Sequence, residues 1–180
     1  MKKNVAWTAG VLAAVALGAG AYLIWKSNNP AKDAALHDQM VKQLVEDYST
    51  KKLPALSASI SSQELVVKTE EGSVTYKLPR KEFFVSIAPY VNTTHPCATH
   101  NLSGCQGEMV SESFDVTITD KKGNTVLSQS MTSHANGFID LWLPRNNTYK
   151  VTIENGGKKA EATLGTFKKD NTCITTMQLG

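Results

Sequence analysis

Hydrophobic positions along the chain change period near residue 56. Before it, Leu36, Met40, Leu44 and Tyr48 fall at i, i+4, i+8 and i+12, with Val41 and Val45 beside them, while His37, Asp38, Lys42 and Asp47 fall mostly on other faces. This spacing predicts an amphipathic helix over 31–49. Asn29-Pro30 suits its N-cap and first turn, and Lys51-Lys52-Leu53-Pro54 ends it. From Leu56 the period is two. Glu64–Thr69 and Ser73–Leu78 flank Glu70-Glu71-Gly72, a turn with glycine available for positive φ, and Glu82–Val91 is a further β-prone run. One helix on a small sheet makes an α+β unit ending near Tyr90.

Residues 92–112 show no period, and a loop of this length is usually functional. After it, Phe114–Thr119, Thr125–Met131, Gly137–Leu143, Tyr149–Glu154, Lys159–Leu164 and Cys173–Leu179 alternate, separated by turn signals such as Lys121-Lys122-Gly123-Asn124, Pro144-Arg145-Asn146-Asn147 and Asn155-Gly156-Gly157. Short strands at such close spacing predict a β-sandwich-like domain. The expected fold class is therefore α+β: a membrane segment at 1–26, a small α+β domain at 27–91 and a β-sandwich-like domain at 92–180 that carries the long loop.

The first 26 residues differ from the rest. Lys2 and Lys3 precede an uncharged stretch from Val5 to Trp25. Trp7 and Trp25 are 18 residues apart, about 27 Å along a helix. That length approaches the hydrocarbon thickness of a bilayer, with amphipathic aromatics at both ends. Ala19-Gly20-Ala21 offers a signal cleavage site, but the apolar run continues beyond it, so the pattern favours an uncleaved anchor over a cleaved signal. Either way the remainder is exported to the outer side of the cytoplasmic membrane or the periplasm, an oxidising compartment. Setting Lys2, Lys3 and Lys26 aside, the 19 basic residues fall to 16 against 16 acidic ones. An electrically balanced body argues against nucleic acid as a partner.

The chemistry is concentrated in the loop. His95-Pro96-Cys97-Ala98-Thr99-His100-Asn101-Leu102-Ser103-Gly104-Cys105 places four metal-binding side chains within eleven residues. Thiolate and imidazole favour soft and borderline ions over Mg(II) or Ca(II). The eight-residue step from Cys97 to Cys105 does not match zinc-finger spacing. Cu(I), which accepts two or three soft donors, asks less of the geometry. Two nearby cysteines in an exported chain are equally well read as a disulfide, with Cys173 then left over as a third thiol, either packed as a small hydrophobe or brought to the loop by the fold. The candidate ligands are Cys97, Cys105, Cys173, His95 and His100, with weaker cases for His37, His134, Met109 and Met131. Glu108 is a candidate partner for a ligating histidine or a plain surface acid. No phosphate-binding, dinucleotide, serine-hydrolase or zinc-protease motif occurs.

The run from Cys97 to Glu108, together with Asn171-Thr172-Cys173-Ile174-Thr175-Thr176-Met177-Gln178-Leu179, resembles the signature of the periplasmic copper-binding protein CueP family. The resemblance implies a copper-binding protein of copper tolerance in which Cys97, Cys105 and Cys173 are the functional cysteines, assisted by neighbouring histidines. It also implies thiol-dependent reduction of Cu(II) to Cu(I), a two-domain chain, and copper supply to exported cuproenzymes such as superoxide dismutase. The oligomeric state stays open, a homodimer included. Two rival readings remain at this stage: a thiol–disulfide redox protein using Cys97 and Cys105, and a structural envelope β-module with one disulfide. Against the first, no C-x-x-C is present.

Overall fold

The computed structural model describes residues 30–180. The expected membrane segment at 1–26 lies outside the described residues, and among the described residues no helix is long and apolar enough to cross a membrane. The chain divides into two compact units, Met1–His37 and Asp38–Gly180. Of the first, only the opening turns of helix α1 (Pro30–Ser49) are described. All that follows concerns the second.

In that unit α1 buries Val41, Val45 and Tyr48. Of the periodic apolar positions, Met40 is 47% exposed and Leu36 is exposed too. The buried face is Val41, Val45 and Tyr48, which fall at i, i+4 and i+7, with Leu44 packed at its edge. Periodicity identifies an apolar flank; which of two neighbouring rows docks is set by the surface it meets. Lys51 takes a left-handed φ of 58°, and the Lys52 and Leu53 amides turn back onto the Asp47 carbonyl at 2.8 and 3.2 Å. The positively turned residue just past the last turn closes the helix.

Eleven strands follow, so the described chain is mostly β with one helix. Strands β1 (Ser57–Ile60), β2 (Glu64–Thr69), β3 (Gly72–Lys77) and the two-residue β5 (His100–Asn101) form a sheet in the order β3-β2-β1-β5. Strands β6 (Ser113–Asp120), β7 (Thr125–Thr132), β9 (Thr148–Asn155) and β10 (Lys158–Gly165) form a second, ordered β10-β9-β6-β7. Strands β4 (Glu82–Tyr90), β8 (Ile139–Pro144) and β11 (Cys173–Gln178) form a third, ordered β11-β4-β8.

Strand β4 organises the unit. Its interior is buried from Phe83 to Pro89, the unbroken apolar run of a strand covered on both faces. Phe83, Val85 and Ile87 join residues of β6, β8, β9, β10 and β11 in one core. Phe84, on the opposite face, joins Val41, Val45, Tyr48, Ile60 and Leu65 in another. Ala88, on that same face, packs with Cys173 and Phe138. Neighbouring residues in a strand point to opposite faces, so one strand serves both cores. β4 pairs antiparallel with β8 and parallel with β11, whose register sets Cys173 beside Ser86.

Candidate metal centre

The long loop is tied down at both ends. The Glu108 carboxylate accepts the amides of Val91, Asn92 and Thr93 at 3.0, 2.9 and 2.9 Å, and the Asn92 side chain at 2.9 Å. These bonds hold its pKa down to about 2. Glu108 thus closes the base of the loop instead of supporting a histidine. Next to it, Gly107 donates to the Asn136 carbonyl at 2.7 Å. A Cβ on Gly107 would lie 2.6 Å from the Gly137 carbonyl oxygen, so the two backbones meet where only glycine fits.

The middle of the loop is anchored from below. Leu102 is fully buried in the helix-side core, and its amide donates to Ala58 at 2.8 Å. His100 pairs with Ile60 as β5. Thr172, just before β11, is buried and joins three segments. Its hydroxyl donates to the Ile60 carbonyl at 2.6 Å and accepts the His100 amide at 3.1 Å, while its own amide donates to Ala98 at 3.0 Å. This places the C-terminal cysteine under the loop.

The outcome is a compact donor set. Ligand atoms of Cys97, His100, Cys105 and Cys173 all lie within 4.8 Å of one another. Cys97 and Cys105 sulfurs are 3.8 Å apart. A disulfide requires about 2.05 Å, and all three cysteines are free. No cysteine pair among the described residues is at disulfide distance; the 3.8 Å spacing matches two sulfurs on one ion, since metal–sulfur bonds of about 2.3 Å at an angle near 110° give that separation. His100 Nδ1 stands 3.5 Å from the Cys173 sulfur. Its Nε2 is buried without a hydrogen-bond partner. The ring is held instead by Phe138, with centroids 4.5 Å apart, and by Phe84 at 6.3 Å. Three sulfurs and one imidazole, mostly withdrawn from water, fit a soft ion.

The thiols do not ionise alike. Cys105 is drawn far below the ordinary thiol value, chiefly by the hydrogen bond from Cys173, with His100 and the Asn101 amide assisting. That amide reaches the Cys105 sulfur at 3.4 Å. Cys173 is pushed up by donating a hydrogen bond to the Cys105 sulfur and by burial. Cys97 is raised chiefly by burial. Of the three thiols, Cys105 is thus the one most readily deprotonated for a metal.

His95 is not among the four clustered residues; its Nδ1 faces the Pro96 carbonyl at 3.4 Å. His134 lies apart, with Nε2 3.8 Å from Asp140 and 4.0 Å from Glu46. Met109 and Met131 pack against the β4–β6 core. Thr172, Phe138 and the Gly107–Gly137 contact carry no local sequence signal for their roles, because each acts through a residue distant in the chain.

Comparison with known proteins agrees with this geometry. No curated protein matches the chain. The family described as periplasmic copper-binding protein CueP matches residues 39–178. A solved structure, "Crystal Structure of S.CueP", superposes with a TM-score of 0.73 and 37% identity, covering 86% of this chain and 100% of that one. With most of its length matched and the three cysteines converging on one histidine, the chain belongs to the CueP family of periplasmic copper-binding proteins.

Proposed function

We propose that this chain is an exported protein that holds Cu(I) through Cys97, Cys105 and Cys173, with His100 as the nitrogen donor, and that the same thiols reduce Cu(II), in copper tolerance or copper supply. The observation that carries the reading is the convergence of four soft and borderline donors within 4.8 Å. Thiolate-rich sets favour Cu(I) over hard divalent ions. His95, two residues before Cys97 on the loop, is a donor for an arriving ion. The apolar stretch from Val5 to Trp25 tethers the chain to the membrane, so the mature protein keeps residues 1–26.

Reduction balances as two Cu(II) and two thiolates giving two Cu(I) and one disulfide, the thiol protons passing to solvent. Cys97 and Cys105 form the pair, closing from 3.8 Å to about 2.05 Å. The oxidised loop then offers the ion only Cys173 and His100. Tight Cu(I) binding and the oxidised loop exclude each other, so binding falls on oxidation and returns with a reductant.

Anaerobic Cu(I) competition titration of the reduced protein, repeated on Cys173→Ser, tests the site: affinity should drop, and an unchanged value rejects convergence. Titrating Cu(II) while trapping Cu(I) and counting thiols tests reduction, with two Cu(I) formed per disulfide. Reduction as extensive in Cys97→Ser and Cys105→Ser as in the parent rejects the redox half. Turnover of unrelated disulfides would favour a general redox protein.

A further inference from the structure

Away from the thiols, four segments distant in sequence converge on a cleft of about 470 Å³. It is lined by Lys77, Arg80, Arg145 and Lys168, with Gln63 and Asn146 between them. Four cations meet here, although beyond residue 26 the chain has as many acidic as basic residues, 16 of each. Lys77 has Glu64 at 2.8 Å. Among the described residues no carboxylate lies within ion-pair distance of Arg80, Arg145 or Lys168.

Arg145 is the informative member. It is partly withdrawn from water, and that desolvation lowers its pKa. Its Nε donates to the Pro79 carbonyl at 3.3 Å and its Nη2 to the Ser62 carbonyl at 2.6 Å. The guanidinium lies over the Phe83 ring, 5.4 Å from the centroid. Two of its five N–H donors are thus engaged, both by neutral acceptors. A desolvated charge ordinarily has an opposite charge against it.

The walls are built and not merely exposed. Leu78 donates to Gln63 at 2.9 Å, Arg145 to Lys81 at 3.1 Å and Asn146 to Thr166 at 3.0 Å through their amides. The Ser62 hydroxyl donates to the Lys168 carbonyl at 2.6 Å. Asn146 takes a left-handed φ of 61°, which turns the chain directly after Arg145. The loops that carry the cations are therefore held in place before any ligand arrives, which removes ordering cost from binding.

We infer that this cleft binds a phosphate group, with the Arg145 fork as its fixed donor and Arg80, Lys77 and Lys168 closing the charge around it. The phosphate is either free in solution or the headgroup of an anionic lipid, since both present the same oxygens. This inference is independent of copper and of the thiols.

The test uses the full chain labelled with ¹⁵N. Inorganic phosphate and dihexanoyl-phosphatidylglycerol, kept below micelle formation, are titrated separately with chloride as control. Saturable shifts of the Arg80, Arg145, Asn146 and Lys168 amides are expected, with those of Cys97 and His100 unmoved. The doubly substituted Arg80→Gln/Lys168→Gln protein, which leaves the anchored Arg145 intact, should bind about fivefold more weakly, the loss expected for two exposed charges. Tighter binding of the lipid marks a headgroup site, and tighter inorganic phosphate marks a soluble one. Shifts that fail to saturate, that chloride reproduces, or that persist unchanged in the double variant overturn the proposal.

Discussion

Thr172→Val isolates what holds His100 against the sulfurs. The substitution keeps the shape of the side chain and removes one hydroxyl that serves two buried backbone groups. The His100 amide loses its acceptor at 3.1 Å and the Ile60 carbonyl its donor at 2.6 Å. His100 is 0% exposed and Thr172 1%, so water does not replace either bond without opening the loop. Losing a buried hydrogen-bond partner costs about 1–3 kcal/mol, and the carbonyl, which keeps a second lone pair, adds less than the amide. A loss of about 2–3 kcal/mol follows. For a chain of this size each kcal/mol moves Tm by about 2–4 °C, which puts the shift near 4–12 °C. The second consequence is at the metal. With β5 loosened, His100 is no longer presented, and losing such a support typically weakens metal binding about 10–100-fold. Thermal unfolding followed by circular dichroism and anaerobic Cu(I) competition read the two effects. Thr172→Ser keeps the hydroxyl and forfeits only a methyl group, so it should retain Cu(I) affinity. A Thr172→Val protein as stable and as tight as the parent would refute the argument. Equal Cu(I) loss in the serine variant would show that packing, not the hydrogen bonds, holds the ring.

Gly137→Ala should destabilise the protein by about 2–5 kcal/mol, because φ is +78° and the new Cβ would lie 2.7 Å from the Gly107 backbone; denaturant unfolding measures it, and a loss under about 1 kcal/mol would show that the contact yields easily. Glu108→Gln should flatten the acid limb of stability. The Glu108 pKa is depressed to about 2 by amides at the base of the loop, so its stabilisation is complete above the ordinary carboxylate value and is lost as pH falls toward 2. Urea midpoints across pH 2–6 check this, and parallel acid limbs in parent and variant would count against it.

Much of the fold was legible in the chain because it depends on local pattern. Alternation with turn residues located β2 to β4 and β6 to β11, though not the short β5 inside the aperiodic loop, and an apolar flank with a stop at Lys51 located α1. The Cys97–Cys105 loop was equally legible, since the density of thiol and imidazole is itself a local property. Tertiary structure decided the rest. Spacing cannot rank His95 against His100; pairing with Ile60 and cover from Phe138 put His100 in the set. Nor can it bring Cys173 to a loop some seventy residues earlier. That requires β11 to lie parallel to β4 and Thr172 to bind both Ile60 and His100. Met40 shows the same limit: the period names an apolar flank, and the sheet beneath takes Val41, Val45 and Tyr48 from it while Met40 stays exposed. The cleft around Arg145 draws its cations from segments that share no motif. A residue's chemistry is written locally, but its neighbours depend on burial and strand register, which the chain acquires only when distant segments pack together.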